Sequence, residues 1–189
     1  MAKSLPISVQ RRIQEAVCQK ADQHGYASQG RIANGRFMDD LVDDPEIGSV
    51  LSEYMPHARI RTYIKDGILN AYTKRKTQEL LQAHDSIKII CDVYGVEQAF
   101  LQHQDDIVVC CNANEKIFVI GRGTVLKWET ALRKALEFIA RTPKLNSEGC
   151  YPLICLQLAV INGDITQGDR KHIASALAAV GVRVYFCEA

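Results

Sequence analysis

Hydrophobic positions in the first part of the chain recur at helical spacing. After Pro6, residues Ile13, Val17 and Ala21 repeat every four positions until His24-Gly25 interrupts them, which predicts an amphipathic helix. Gly30 and Gly35 read as a short connection, and Pro45 divides the stretch that follows into two short helices. Pro56 opens a longer helix with apolar positions at Ile60, Ile64, Ile68 and Tyr72. Residues 1–84 are therefore expected to form an N-terminal helical region.

Beyond residue 85 the texture changes to short β-branched runs separated by turns. Ile87–Tyr94, Asp106–Cys111 and Lys116–Ile120 read as three strands, the last two joined into a hairpin by Asn112-Ala113-Asn114-Glu115. Gly121-Arg122-Gly123 reads as the turn that ends the third strand. A helix with Trp128, Leu132, Leu136 and Ile139 on one face follows, closed by Pro143 and the loop 144–149. Leu153–Ile161 is a near-continuous apolar run, the pattern of a strand buried on both faces. Thr166 and Asp169 are spaced as a capping box, and Ile173, Leu177 and Val180 form the apolar face of the helix they begin. Gly181 stops that helix before a last strand over 182–187. The order β-β-β-α-β-α-β predicts an α/β domain over residues 85–189, with a mixed central sheet.

Composition narrows the class. Of 189 residues, 47% are hydrophobic and 24% charged, a balance that excludes a disordered or fibrous chain. No run approaches the ~18 apolar residues that a membrane span requires, and the basic residues near the start lack the apolar stretch of a secretory signal. No membrane association is expected. The seven cysteines form no C-x-x-C pair, and Cys91, Cys110, Cys155 and Cys187 fall in the apolar runs. They read as reduced packing residues, which sets the expected location in the cytoplasm.

The net charge of +1 hides a segregation along the chain. Between Phe37 and Met55 stand Asp39, Asp40, Asp43, Asp44, Glu46 and Glu53, with no lysine or arginine. The helix after Pro56 instead carries Arg59, Arg61, Lys65, Lys74, Arg75 and Lys76 against Asp66 and Glu79. Such a pattern fits first of all mutual neutralisation or a solvated face, and after that a helix that contacts phosphates.

The segment DDIVVCCNANEKIFVIGRGT, followed by KWETALRKALEFIARTP and YPLICLQLAV, resembles the core of the PD-(D/E)XK nuclease superfamily, which includes restriction endonucleases and Holliday-junction resolvases. In that family an aspartate opens the second strand, the third strand ends in acid-x-lysine, and an amphipathic helix leads to a fourth strand. The resemblance implies a restriction-endonuclease-like sheet with Asp106 at the metal-binding aspartate. It sets Gly121, Arg122 and Gly123 at the acid-x-lysine triplet. The chemistry served by that motif needs two carboxylates on Mg²⁺ and a lysine at the nucleophile. Gly121 carries no ligand and Gly123 no amine, and Arg122 faces away from both. A second register, on the likeness of GDITQGDRKHIASALAAVGVRVYF to the tail of virus-type replication-repair nucleases, sets Gln157-Leu158-Ala159 at the triplet and meets the same obstacle.

Three functions remain open. The first is an Mg²⁺-dependent endonuclease with a displaced site, Asp106 and Glu129 holding the metal and Lys127 beside them. It requires a second carboxylate within about 5 Å of Asp106. The second is an inactive relative that binds nucleic acid, DNA in the first place, through Arg59, Arg61, Lys65, Lys74, Arg75, Lys76 and Arg122. The third is an interaction or regulatory module, its acidic stretch meeting a basic protein partner or a second copy of the chain. The five histidines have no metal-ligand spacing, and the adjacent Cys110 and Cys111 face opposite sides of a strand, so the two do not chelate one ion.

Overall fold

The computed structural model describes residues 4–97, 99–104, 106–147, 150–161, 163 and 165–188, and for 100–104 the backbone alone. It divides into two compact units, one of Met1–Lys76 with Asn162–Asp164 and one of Thr77–Ile161 with Ile165–Ala189. This division and the one expected at residue 84 differ by the C-terminal part of a single helix, α5 (Asn70–Ala83).

The first unit is helical. Helix α1 (Ile7–His24) ends at Gly25, and Ile13, Val17 and Ala21 are its fully buried positions. Helix α2 (Arg31–Asp43) begins earlier than expected and runs through Gly35, so that glycine is not part of a connection. Asp44 ends it and accepts hydrogen bonds from the backbone N–H groups of Glu46 and Ile47, turning the chain at Pro45 into α3 (Gly48–Ser52). Pro56 precedes α4 (His57–Thr62), a π-helical segment covers Tyr63–Leu69, and α5 follows. The four-residue spacing of Ile60, Ile64, Ile68 and Tyr72 accounts for the wider turn. In an α-helix each step of four overshoots a full turn by about 40°, and an i→i+5 segment takes up that drift. All four side chains join one core with Ile13, Val17, Leu41 and Leu51.

The second unit is a mixed α/β layer structure. Residues 87–94, expected as a strand, form instead the helix α6 (Ser86–Tyr94). Asp85 caps its start by accepting from Ile87 N at 2.8 Å, and Gly95, at φ 65°, ends it in the left-handed conformation. Ser86, Ile89 and Ile90 are buried with Val93 packed beside them, a helical spacing that the β-branched composition obscured. The first strand lies later, β1 (Ala99–Gln104), in a segment where no strand was expected. Then come β2 (Ile107–Asn112), β3 (Ile117–Thr124), α7 (Trp128–Arg141) after a 3₁₀ turn Val125–Lys127, β4 (Leu153–Ala159), α8 (Gln167–Ala178) and β5 (Arg183–Cys187).

The five strands lie in the order β1-β2-β3-β4-β5. The pairs β1–β2 and β2–β3 are antiparallel, while β3–β4 and β4–β5 are parallel across α7 and α8. Helix α6 covers one face through Val108, Cys110, Phe118, Ile120 and Cys155. Helices α7 and α8 cover the other through Val119, Leu156 and Leu158. Strand β4 is buried as its apolar run implies, and the capping box at Thr166 and Asp169 is formed. Two apolar faces are narrower than expected: Ala131 and Ala135 form the buried line of α7 while Leu136 is exposed, and Val180 lies exposed beyond the end of α8.

Candidate functional site

Gly121-Arg122-Gly123 is not a turn. All three residues continue β3, which pairs with β4 as far as Thr124 opposite Ala159. The glycines are there because α7 lies directly on the strand. A Cβ at Gly121 would stand 2.7 Å from the Ala131 carbonyl oxygen, and one at Gly123 would stand 3.1 Å from the Ala131 Cβ. Their N–H groups are not presented to a phosphate, since the strand carries its ladder through them.

Arg122 points to the opposite face, towards α6, as strand alternation requires. Its Nε donates to Gln157 Oε1 and its Nη2 to Ser86 Oγ, both at 2.9 Å. Gln157 is fully buried in β4 and uses both ends of its amide. The Nε2 donates to the Leu81 carbonyl at 3.0 Å and to the His84 carbonyl at 3.2 Å, with Cys187 Sγ 3.6 Å away. The residue therefore satisfies carbonyls at the end of α5 that the helix itself leaves unpaired. Burial pulls the Arg122 guanidinium below its ordinary value, while charge on Cys187, Asp106 and Cys110 acts in the opposite direction. This buried polar group of Ser86, Arg122 and Gln157 is internally satisfied. The sequence signal for it is one amide inside the otherwise apolar run LICLQLAVI.

Asp106 stands at the turn that opens β2, and its backbone carbonyl accepts from Arg122 N at 2.9 Å. Its exposed carboxylate meets Lys134 Nζ on α7 at 2.5 Å. Lys134 and Glu137 line a cleft of about 370 Å³ together with Asp106. The two other expected members of the site, Lys127 and Glu129, are exposed at the beginning of α7, and neither lines this cleft. Glu137 is engaged as well, with Arg133 at 3.0 Å and Arg141 at 3.8 Å. Among the described residues, no three histidine, cysteine, aspartate or glutamate side chains gather to hold a metal. Mg²⁺ held by Asp106 and Glu137 would have to displace one lysine and two arginines from the two carboxylates.

The basic residues of the segment 57–83 divide into two sets. Arg61 pairs with Asp39, and Lys76 with Asp22 at 2.9 Å. Arg75 and Lys76 also stand over the Tyr72 ring, at 5.7 and 5.6 Å from its centroid, while Tyr72 Oη donates to Asp22 at 2.8 Å. Arg59, Lys65 and Lys74 are exposed, and among the described residues no carboxylate pairs with them. The acidic stretch is likewise partly spent on local contacts, since Asp44 pairs with Lys20 at 2.8 Å as well as turning the chain.

All seven cysteines are free thiols. Cys110, Cys155 and Cys187 are buried in strands as expected, whereas Cys91 lies half-buried on α6 and Cys111 is exposed. Burial pushes the Cys110 thiol up to about 11 and the Cys155 thiol up to about 12, which suits packing and not nucleophilic chemistry. Among the described residues, no helix is long and apolar enough to cross a membrane.

Comparison of the chain with protein-family models, with curated proteins and with solved structures finds no match. Fold and geometry alone define the class: a mixed α/β domain preceded by a helical unit.

Proposed function

We propose that the chain is a nucleic-acid-binding protein built on a nuclease-like scaffold of restriction-endonuclease-like type, without the hydrolytic site. What supports the scaffold is the connectivity. An antiparallel meander β1-β2-β3 is followed by a helical crossover to the parallel β4, and an aspartate stands where β2 opens. What supports the loss of hydrolysis is the use of the triplet positions, two for close packing against α7 and one for the Gln157 lock.

The observation that carries nucleic-acid binding is the division of the basic residues. Arg61 and Lys76 are neutralised within their own unit, and Arg59, Lys65 and Lys74 are exposed with no carboxylate partner among the described residues. Three such cations on one helical segment suit the evenly spaced phosphates of a nucleic-acid backbone. Seven free thiols suit the reducing cytoplasm as the place of action.

The test is a titration of labelled duplex DNA at several salt concentrations, with duplex RNA as a second probe. Binding that weakens steeply with salt supports the reading, and an absence of binding at low salt defeats it. Incubation of plasmid and single-stranded DNA with Mg²⁺ or Mn²⁺ tests the other half. Intact substrate is expected, and cleavage that disappears in Asp106→Asn would establish an endonuclease.

A further inference from the structure

We propose that a cleft at the tip of the β2–β3 hairpin takes a planar nucleobase stacked on Tyr151. The cleft measures about 740 Å³, and it lies within the second unit, away from the cleft of Asp106. That volume falls in the range of sites for small organic ligands. Where the base belongs to a strand, the inference rests on the nucleic-acid reading given above and deepens it.

Tyr151 is the strongest mark of the site. It is 85% exposed, the most exposed of the large hydrophobic side chains among the described residues. A tyrosine ring offers a flat, rigid face at small cost in side-chain freedom, and bases stack on such faces whatever their identity. Around it the cleft is lined by Asn112, Asn114, Ser147, Glu115 and Lys116. Asn112 Oδ1 already accepts from the backbone N–H groups of Asn114 and Lys116, at 3.2 and 2.8 Å, which fixes the hairpin tip. The amides and the hydroxyl supply the donors and acceptors that read the edge of a base.

The charges select the same ligand. Glu115 and Lys116 oppose each other in the lining, so the cleft has no excess of positive charge to hold a phosphate. Affinity must come from the ring face and from edge hydrogen bonds, which describes a base more closely than a phosphorylated protein or a bare anion. An unpaired base of a strand and a free nucleotide share this chemistry.

The experiment uses the full chain with three probes: a short labelled single-stranded DNA, adenosine monophosphate and duplex DNA. Tyr151→Ala is expected to weaken binding of the single strand, of the nucleotide or of both by about five- to a hundredfold. Tyr151→Phe keeps the ring and is expected to bind as the wild type does. Loss confined to the single strand identifies an unpaired base as the ligand, and loss confined to the monophosphate identifies a free nucleotide. Both results support the cleft. Equal binding by Tyr151→Ala and wild type overturns it, as does a wild-type protein that binds neither probe. Duplex binding reports separately on Arg59, Lys65 and Lys74, so the inference can fail while the broader reading stands. Tyr151 is too exposed for its removal to unfold the domain.

Discussion

Arg122 and Gln157 stand opposite each other in the parallel register of β3 and β4, joined by a hydrogen bond of 2.9 Å from Nε to Oε1. The pair explains why a fully buried glutamine persists in an apolar strand. One end of its amide holds a half-buried cation, and the other holds the carbonyls of Leu81 and His84. Gln157→Leu would leave all three groups short of a partner at once. A buried polar group left unsatisfied costs about 1–3 kcal/mol, more when it is charged. The substitution is therefore expected to destabilise the protein by about 3 kcal/mol, read as a lower urea midpoint at unchanged slope. Arg122→Met in the same background should recover part of that loss, because it removes the stranded cation, and a double-mutant cycle measures the recovery.

The glycines of β3 give a prediction of graded size. Gly121→Ala places a Cβ 2.7 Å from the Ala131 backbone oxygen, which gives way only if α7 moves. Gly123→Ala places one 3.1 Å from a Cβ, where a few tenths of an ångström suffice. Overpacking of the first kind costs about 1–3 kcal/mol. Thermal melts should show Gly121→Ala clearly below wild type and Gly123→Ala between the two. If both melt with the wild type, the glycines have another purpose.

These two sites also show how far the sequence could be read. Strand β4, the capping box of α8 and the core line of α1 were legible, because each is settled by residues adjacent in the chain. Helix α6 was not. Its isoleucines and valine carry strand propensity, and the helix follows from the cap at Asp85, the stop at Gly95 and burial of Ile89 and Ile90 against the sheet. Propensity is a weak prior where tertiary burial decides. The site suffered similarly. Asp106 was identified at the opening of β2, but its partner Lys134 is 28 positions away on α7, a pairing that spacing along the chain does not disclose.

The buried thiols set an alkaline limit on stability. Cys110 and Cys155 begin from an ordinary value of 9.0, and burial raises them to about 11 and about 12. Cys187 is raised for the same reason. As pH rises from 9.0 towards about 11, Cys110 and Cys155 stay mostly protonated in the folded protein while in the unfolded chain they ionise. The unfolded state then binds fewer protons, so the unfolding free energy falls as pH rises. Stability should be level from pH 7 to about 8.5 and decline above pH 9. Replacing Cys110 and Cys155 by alanine and valine should flatten that decline. A native thiol titration at pH 8 is expected to modify the exposed Cys111 rapidly and these two slowly.

Salt dependence measures how many phosphates the helical unit contacts. Each phosphate neutralised on duplex DNA contributes about −0.9 to the slope of log affinity against log salt. Replacing Arg59, Lys65 and Lys74 together by alanine should make the slope shallower by up to about 2.7 and weaken binding to all sequences alike. Arg61→Ala and Lys76→Ala act differently, since each strips a cation from Asp39 or Asp22 and leaves that carboxylate behind. Two triple-variant slopes equal to wild type, one for DNA and one for RNA, would place the binding surface elsewhere.

Magnesium provides the sharpest separation between a binding protein and a nuclease. The Asp106–Lys134 pair is about half-exposed on both sides, and exposed ion pairs are worth only about 0–1 kcal/mol. A divalent cation with true affinity for Asp106 and Glu137 would therefore displace the lysine readily. Any ligand that binds only the folded state raises stability, by about 2.7 kcal/mol at a hundred times its dissociation constant. A proper Mg²⁺ site would thus announce itself in a thermal melt at millimolar metal. The expected result is no shift, because no third ligand joins Asp106 and Glu137 among the described residues. Asp106→Asn should melt within about 1 kcal/mol of wild type and bind nucleic acid equally well. A melting point that rises with Mg²⁺ in the wild type, and not in Asp106→Asn, would instead assign the cleft of Asp106, Lys134 and Glu137 to a metal-dependent enzyme.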